Sequence, residues 1–229
     1  MSIAANIERV EERILKACLR SGRKREEVKL MGVTKTQPLN AVEQAWNAGL
    51  RCFGESRVQE AAGKFSGFRT SRPGMELHFI GSLQRNKAKL AASLFDCVQS
   101  VDRDALVDEL AKHSVGKDNP LPVLLELRTG EDTKSGFAGM DELFRAAELV
   151  SACPTLRVRG LMTIAPNTGD EEVLRAAFRR LAKARQELER RYPDRFECLS
   201  MGMSGDLEIA VEEGSTLLRI GAAIFGERT

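Results

Sequence analysis

Residues 156–202 read LRVRGLMTIAPNTGDEEVLRAAFRRLAKARQELERRYPDRFECLSMG and contain one repeating unit of the fold. The apolar run at 156–164 has the length of a buried strand, and 170–191 carries apolar residues at helical spacing. A second short apolar run follows at 197–202. This order of strand, helix and strand predicts two parallel strands joined by a helical crossover.

The same alternation fills the rest of the chain after an amphipathic helix at 3–20. Strands are predicted at 28–36, 50–55, 76–81, 95–100, 122–128, 156–164, 197–202 and 216–221. Each is followed by a helix, predicted at 39–48, 56–65, 84–93, 103–114, 140–151, 170–191, 205–213 and 222–226. Eight such units predict an α/β fold, a single-domain (β/α)8 TIM barrel over 1–229 with an extra N-terminal helix. An open doubly wound sheet is the competing architecture, but it normally carries a glycine-rich fingerprint after its first strand, and this sequence has none.

Composition excludes several classes of protein. The 229 residues include 35 basic and 33 acidic side chains, a net charge of +2, so there is no electrostatic footprint for nucleic acid. With 42% hydrophobic and 30% charged residues, the chain is typical of an ordered globular protein. No apolar run is long enough to cross a membrane, and the N-terminus MSIAANIERVEER is charged where a signal peptide would be apolar. We therefore expect a cytoplasmic protein that binds neither nucleic acid nor membranes.

Cysteine and histidine usage argues against disulfides and metals. The five cysteines are widely spread, without a C-x-x-C pair, and several lie within apolar runs. This pattern is typical of free thiols in a reducing compartment. His78 and His113 are the only histidines, too few for the usual histidine-based zinc centre. The sequence therefore predicts no metal site.

Barrel enzymes carry their chemistry at the carboxyl ends of the strands. Polar residues at those positions are Lys35, Glu55, Ser82, Ser100, Arg128, Thr163, Ser200 and Arg219. Lys35 allows two interpretations. A lysine that loses hydration at the barrel mouth has a lowered pKa and can form a Schiff base with a carbonyl compound. Alternatively, Lys35 is a strand-end lysine whose ammonium group extends into water.

The last two loops contain small residues in positions suited to an anion. Gly202, Ser204 and Gly205 precede one helix, and Arg219 and Gly221 precede the next. Small residues allow backbone N–H groups to approach a ligand, and the loops after strands seven and eight of a barrel commonly bind phosphate. Either loop alone is explained equally well as a tight turn. Together with a lysine at the same rim, they indicate a phosphate-bearing aldehyde, and pyridoxal 5′-phosphate (PLP) fits that description.

Several longer motifs resemble a known family. They are GVTKTQP (32–38), FGESRVQEA (53–61), HFIGSLQRNKAK (78–89), TKSG (133–136), GLMTIAP (160–166) and LSMGMSGDLEIAVEEGSTLLRIGAAIFGER (199–228). In this order, over nearly the whole chain, they resemble the YggS/PROSC family of pyridoxal phosphate homeostasis proteins. The resemblance implies the barrel of the N-terminal domain of alanine racemase, a fold-type III PLP-binding barrel, without a second domain.

The resemblance also implies roles for individual residues. Lys35 matches the lysine that binds PLP as a Schiff base, and Arg219 matches an arginine that contacts the ring nitrogen or the phosphate. The cofactor-binding positions it implies are Lys35, Met162, Thr163, Ser200, Met201, Gly202, Met203, Ser204, Arg219 and Gly221. The chain departs from the family pattern at Ser56, which replaces an asparagine, and at Ser82, where histidine is frequent. In LELRTGED (125–132) the usual asparagine is missing.

The sequence favours a PLP carrier or regulator over an enzyme. A PLP racemase needs a second acid–base group, usually a tyrosine, on the face of the substrate opposite the lysine. The single tyrosine, Tyr192, follows a charged helix and is interpreted as a packing residue, and His78 is interpreted as a core histidine near the lower end of the barrel. The short loops leave no lid that could exclude water. The expected function is vitamin B6 and amino-acid homeostasis, with apo-PLP enzymes as possible acceptors and a monomeric barrel. A fold-type III racemase or decarboxylase is the alternative, and a cofactor-free Schiff-base aldolase is a third interpretation.

Overall fold

The predicted strands close into a barrel because each helical crossover returns the chain to the same end of the sheet. The computed structural model describes residues 2–130 and 135–226. Within that part, each strand pairs in parallel with the next, and the last pairs with the first, where Met31 lies opposite Arg219. The strands are β1 Lys29–Val33, β2 Cys52–Glu55, β3 Glu76–Phe79, β4 Cys97–Val101, β5 Leu121–Glu126, β6 Leu156–Met162, β7 Cys198–Ser200 and β8 Leu217–Ile220. The prediction of a TIM barrel is confirmed.

Helices cover the outside of the barrel. They are α1 Ile3–Arg20, α2 Leu39–Asn47, α3 Val58–Phe65, α4 Ala88–Leu94, α5 Asp104–His113, α6 Met140–Ala152, α7 Glu171–Arg191, α8 Leu207–Glu212 and α9 Ala222–Phe225. In α7, Leu174, Phe178 and Leu181 recur at helical spacing and are buried on the side facing β6 and β7. Asp170 caps this helix by accepting hydrogen bonds from backbone N–H groups of the first turn. Among the helices described, none is both long and apolar enough to cross a membrane.

Side chains inside the barrel form two small apolar clusters, separate from the main core between strands and helices. The members of the two clusters are Met31, Cys52 and Leu217, and Cys97, Leu124 and Met162, with Cys198 packed against both. Alternate residues of a strand point to opposite faces of the sheet. Gln99, Glu126 and Arg219, each two residues beyond a cluster member on its own strand, therefore also point into the barrel.

Six of the eight described strands end before their predicted limits, and the backbone explains two of these early ends. β1 ends at Val33 and β7 at Ser200, three and two residues short of prediction. Thr36 has φ 64° and Gly202 has φ 98°. A left-handed backbone cannot continue an extended ladder, so the chain turns away from the sheet at the rim.

The extra N-terminal helix α1 packs against α8 and α9. Its apolar face is buried, which explains its helical periodicity. Asn6 Nδ2 donates a hydrogen bond to the carbonyl of Ile224 at 2.7 Å, and Arg13 Nη2 donates to the carbonyl of Ser204 at 3.1 Å. The helix therefore contacts the loop after β7 and the short helix α9 that follows β8.

Candidate functional site

Lys35 lies two residues beyond β1, in the turn that leads to α2. The Gln37 N–H donates to the Thr34 carbonyl at 3.0 Å, and Thr36 adopts the left-handed φ of 64°. This conformation is costly for a β-branched residue and persists only where surrounding contacts offset it. The Lys35 side chain is half-buried. The turn therefore holds Lys35 at the carboxyl-end rim of the barrel, where the sequence predicts it.

Helix α3 supplies contacts that hold the backbone on both sides of Lys35. Lys64 Nζ donates to the Thr34 carbonyl at 2.8 Å, and the Glu60 carboxylate accepts from the Thr36 N–H at 2.6 Å. Lys64 and Glu60 also pair with each other at 3.0 Å. Neither residue was predicted from the sequence, because a glutamate and a lysine four residues apart on a helix usually form a solvent-exposed pair.

Two of the predicted rim residues support the backbone instead of facing the interior. Glu55 is fully buried beneath α3, where it accepts from Thr34 Oγ1 at 2.7 Å and pairs with Lys64 Nζ at 2.8 Å. Burial raises the pKa of the Glu55 carboxyl, and its contacts with Lys64 oppose that rise. Ser100 Oγ donates to the carbonyl of Gly81 at 2.5 Å. Neither residue faces the interior of the barrel.

Arg219 points into the barrel from β8 and is only 5% exposed. Its Nη1 donates to Ser200 Oγ at 2.8 Å, and its Nη2 donates to the Thr163 carbonyl at 2.7 Å. Burial lowers the pKa of Arg219 to about 10, so the guanidinium keeps its charge at neutral pH. Thr163 Oγ1 is itself held by a 2.7 Å bond to the Leu127 carbonyl. The structure thus brings together three of the residues implied by the resemblance.

The two loops predicted to bind phosphate are joined by hydrogen bonds. The Ala223 N–H donates to Ser204 Oγ at 3.1 Å, and the Arg219 N–H donates to the Gly202 carbonyl at 3.0 Å. Gly202 has a left-handed φ, and a Cβ there would lie 2.5 Å from Leu218 Cδ2. Backbone and packing therefore require glycine at this position whether or not a ligand is present.

Gly221 differs from Gly202. Its φ of −108° suits any residue, and an added Cβ would make only ordinary contacts, the closest at 3.6 Å to Val33. Nothing in the protein itself therefore demands glycine there. Val33 lies two residues before Lys35, so the space left by the missing side chain is close to the Lys35 turn. This space is where a ligand held by the lysine could approach the backbone.

The three methionines implied by the resemblance lie in different surroundings. Met162 points into the barrel and packs with Cys97 and Leu124. Met201 is buried in the outer core, and its backbone N–H and carbonyl are both bonded within the protein. Met203 is 37% exposed on the loop after β7. Of the three, only Met162 contributes its side chain to the interior.

A chain of hydrogen bonds runs down the barrel interior from Arg219. Ser200 Oγ donates to Gln99 Oε1 at 2.6 Å, and Gln99 Nε2 lies 2.7 Å from His78 Nδ1. His78 Nε2 lies 3.3 Å from Glu76 Oε2, at the end of the barrel where the strands begin. Arginine can only donate and an ionised carboxylate can only accept. The hydrogen bonds therefore all run in one direction, in which Gln99 Nε2 donates to His78 Nδ1 and the His78 Nε2–H donates to Glu76.

Glu126 is a buried carboxyl group that the sequence analysis did not assign to the site. It lies on the same face of β5 as Leu124 and accepts a hydrogen bond from Ser135 Oγ at 3.1 Å. Ser135 belongs to the TKSG motif, whose first two residues lie outside the described residues. β5 stands opposite β1 in the barrel, so Glu126 faces the interior from the wall opposite the Lys35 turn. Burial raises the pKa of Glu126 to about 7, and the Arg219 charge acts in the opposite direction.

The pKa of Glu126 predicts how stability depends on pH. The folded-state pKa of about 7 exceeds the ordinary value of 4.5, so the folded protein binds the extra proton between these two values. The stabilisation is fully present below pH 4.5 and is lost as pH rises through 7. We expect the wild type to lose at most about 3 kcal/mol relative to Glu126→Gln between pH 5 and 8. Denaturant unfolding of both proteins over this range measures the difference, and Glu148→Gln, at an exposed position, serves as the control. Parallel pH profiles for wild type and Glu126→Gln would contradict the assignment.

Tyr192 lies at the opposite end of the barrel from Lys35. It follows the last residue of α7, which leads to the beginning of β7. The ring is half-buried, with its centroid 6.4 Å from that of Phe196. This position agrees with its interpretation as a packing residue and gives it no access to the Lys35 rim.

Comparisons with known proteins show which family this chain resembles. Residues 2–229 match the family described as alanine racemase, N-terminal domain. A protein of Vibrio cholerae named pyridoxal phosphate homeostasis protein is 45% identical over 230 residues, covering 99% of this chain and 97% of that protein. A protein of the same name from Aquifex aeolicus is 41% identical, covering 100% and 99% of the two chains. The structure of PipY from Synechococcus elongatus PCC7942 with PLP bound superimposes with a TM-score of 0.81 at 35% identity, covering 95% of this chain and all of PipY.

Proposed function

The chain belongs to the pyridoxal phosphate homeostasis proteins of the alanine racemase N-terminal domain family, and we propose that it binds PLP at Lys35 as an intracellular carrier or regulator of this cofactor. The observation that carries the proposal is the convergence of three features on one rim. These are Lys35 in a turn whose backbone is held by side chains of α3, the buried Arg219, and Gly221, a glycine that the fold does not require. The PLP-bound structure of the relative PipY supports the same cofactor.

The chemistry of the residues present fits PLP. The cofactor supplies an aldehyde that condenses with a primary amine, and Lys35 Nζ is that amine. The space beside Gly221 lies next to the Lys35 turn and at the loop joined to Ser204, where a phosphate group can approach backbone N–H groups. Arg219 provides a fixed positive charge within the same part of the barrel.

The other polar residues keep these groups in position. Lys64 and Glu60 hold the backbone that carries Lys35, while Ser200 and the Thr163 carbonyl fix the plane of the Arg219 guanidinium. Groups held in this way lose little entropy when a ligand binds. Gly202, Met203 and Ser204 lie in the loop after β7, while Met162 ends β6 with its side chain in the barrel interior and Met201 packs in the outer core.

The proposed carrier role includes direct transfer of PLP to apo-PLP enzymes. We expect the loaded protein to reactivate an apo-PLP enzyme in the presence of a scavenger of free PLP, faster than the same amount of free cofactor does. The measurement is the recovery of the acceptor's activity over time, with borohydride-reduced protein as the control that cannot release PLP. If the loaded protein reactivates the acceptor no faster than free PLP does, direct transfer is contradicted and the protein only stores PLP.

A fold-type III enzyme remains the second candidate, and Glu126 is the observation that favours it. A carboxyl group with a pKa of about 7, on the wall opposite Lys35, has the proton affinity expected of a general base. Sustained racemisation or decarboxylation of an amino acid above the rate of free PLP, lost in Glu126→Gln, would favour this candidate. A visible absorption band of the purified protein distinguishes both PLP functions from the cofactor-free aldolase.

The proposal includes a cytoplasmic location and a monomeric barrel. Five free cysteines fit a reducing compartment. Sedimentation of the purified protein tests the monomer, and apo-PLP enzymes are the proposed acceptors. Neither nucleic acid nor a membrane is part of the proposed function.

A further inference from the structure

The end of the barrel where the strands begin contains a second group of reactive side chains. A cavity of about 460 Å³ opens there, and its lining includes Lys29, Glu76, His78, Cys97 and Cys198. Cys52 adjoins the cavity through the interior cluster that it shares with Cys198. The ligand atoms of Cys52, Glu76 and His78 all lie within 4.8 Å of one another. The proposed function uses none of these three side chains.

We propose that Cys52 Sγ, a Glu76 carboxylate oxygen and His78 Nε2 form a zinc site at this lower mouth of the barrel. Thiolate, imidazole and carboxylate are the ligands that zinc takes in proteins. Magnesium and calcium prefer sites made only of oxygen atoms, so the thiol argues against them. Three protein ligands leave the fourth position of a tetrahedral ion for water from the cavity.

The register of two neighbouring strands holds these three ligands together. Cys52 lies directly opposite Glu76 in the pairing of β2 with β3, and His78 is two residues further along β3. Residues with this spacing share one face of the sheet, so all three side chains point into the barrel. Ligand atoms in a tetrahedral zinc site lie roughly 3.5 Å apart. The distances between the ligand atoms therefore need to shorten by about 1 Å at most, and rotation of the side chains can shorten them by that amount.

Gln99 supplies the outer contact that a zinc-bound histidine requires. Its side-chain amide lies 2.7 Å from His78 Nδ1 and is fully buried, where Ser200 holds it from the other side. A metal-binding histidine usually donates its other ring N–H to such a partner. Zinc at Nε2 moves the ring hydrogen to Nδ1, and the Gln99 amide rotates so that Oε1 accepts it. The same amide then donates to Ser200, which couples the zinc site to the partner of Arg219.

The protonation states are compatible with zinc binding. Glu76 offers a carboxylate oxygen whose present contacts, with His78 Nε2 and Lys29 Nζ, are the ones that zinc would replace. Burial raises the pKa of the Cys52 thiol, which is therefore protonated in the metal-free protein. Zinc binding releases that proton to solvent and leaves the thiolate on the metal.

Lys29 competes with zinc for Glu76. Its Nζ lies 2.5 Å from both carboxylate oxygens, and its side chain is 45% exposed. An exposed ion pair of this kind contributes little to stability. Lys29 can therefore turn into solvent when a metal ion replaces it, and its removal makes the site stronger.

The sequence predicts no metal site because it contains only two histidines and no C-x-x-C pair. Glu76 and His78 lie two residues apart on β3, but Cys52 lies 24 residues before Glu76 and meets them only in the barrel. An ion between two strands leaves no short sequence motif.

The experiment uses the untagged full chain, reduced and prepared without PLP, titrated with Zn²⁺ by calorimetry and with Co²⁺ by absorption. We expect one zinc ion per chain and, with Co²⁺, a thiolate-to-cobalt charge-transfer band. Cys52→Ser is expected to lose that band, while Cys153→Ser, the matched control at a cysteine outside the barrel interior, keeps it. Gln99→Met is expected to weaken zinc binding about 10- to 100-fold. Lys29→Met is expected to strengthen it about two- to fivefold.

The measurements on wild type decide the proposal even if a variant folds poorly. No stoichiometric zinc binding, or bound cobalt without a thiolate band, overturns it. Equal zinc binding by Cys52→Ser and Cys153→Ser, with both variants folded by circular dichroism, also overturns it. If Lys29→Met binds zinc more weakly than wild type, the metal binds elsewhere and the proposal is also overturned. These outcomes do not depend on whether Lys35 binds PLP, so the two proposals fail separately.

Discussion

Lys35→Ala is expected to lose covalent PLP binding completely. The substitution removes the Lys35 amine, the group in the turn after β1 that can form a covalent bond with the cofactor's aldehyde, while the contacts proposed for the phosphate remain. We expect the visible absorption band of the loaded protein to vanish and no cofactor to remain attached after borohydride reduction. Residual binding through the phosphate alone should be at least about 100-fold weaker, or about 2.7 kcal/mol. Absorption spectra, intact mass after reduction and equilibrium dialysis measure these three quantities.

Lys87→Ala is the matched control for Lys35→Ala. Lys87 is also a half-buried lysine near the carboxyl ends of the strands, in the groove that contains Ser56 and Ser82. We expect this variant to retain the band and the reducible attachment. If reduction attaches PLP to Lys35→Ala as efficiently as to wild type, another amine carries the cofactor and the proposed function is wrong at its central residue.

Lys64→Met is expected to destabilise the protein by about 3–5 kcal/mol, because it leaves a buried carboxylate without its cation. Glu55 is fully buried and Lys64 is only 8% exposed, so water cannot replace the lost partner. The methionine also cannot donate to the Thr34 carbonyl. For a chain of this size, such a loss lowers the melting temperature by roughly 10 °C or more. Denaturant unfolding and thermal melts measure the effect.

The double variant Lys64→Met with Glu55→Gln tests the cause of that loss. A neutral amide no longer requires a cation, so we expect the double variant to recover much of the stability lost in Lys64→Met. Lys89→Met, at an exposed position of α4, is the control and should change stability by less than about 0.5 kcal/mol. No recovery in the double variant would mean that the Thr34 contact, and not the buried ion pair, accounts for the effect.

The residue facing the interior was harder to predict than the strand that carries it. Ser100 ends the predicted fourth strand, yet its hydroxyl supports the Gly81 carbonyl, while Gln99 faces the barrel axis. Strict alternation from Cys97 would have identified Gln99, but the apolar run is buried on both faces and shows no alternation of polarity. The same difficulty placed Glu55 among the rim residues.

The effect of a departure from the family pattern can be judged only from its surroundings in the folded barrel. The segment 125–132 lacks the asparagine that is usual in the family. In the structure, Glu126 of this segment is buried opposite the Lys35 turn. Its raised pKa comes from desolvation, which depends on how many atoms surround the carboxyl group. No pattern within the segment reports that quantity.

The amino-acid sequence alone determined the order and number of strands and helices, the closed parallel barrel, and the lysine and glycine-rich loops at its rim. These features depend on hydrophobic periodicity and turn residues, which act between near neighbours in the chain. Tertiary structure decided which polar groups meet: Lys64 with Glu55 around the Lys35 turn, Arg219 with Ser200, and Cys52 with Glu76 and His78. Such contacts join residues on different elements, and their energies depend on burial and register, which exist only once the barrel has closed.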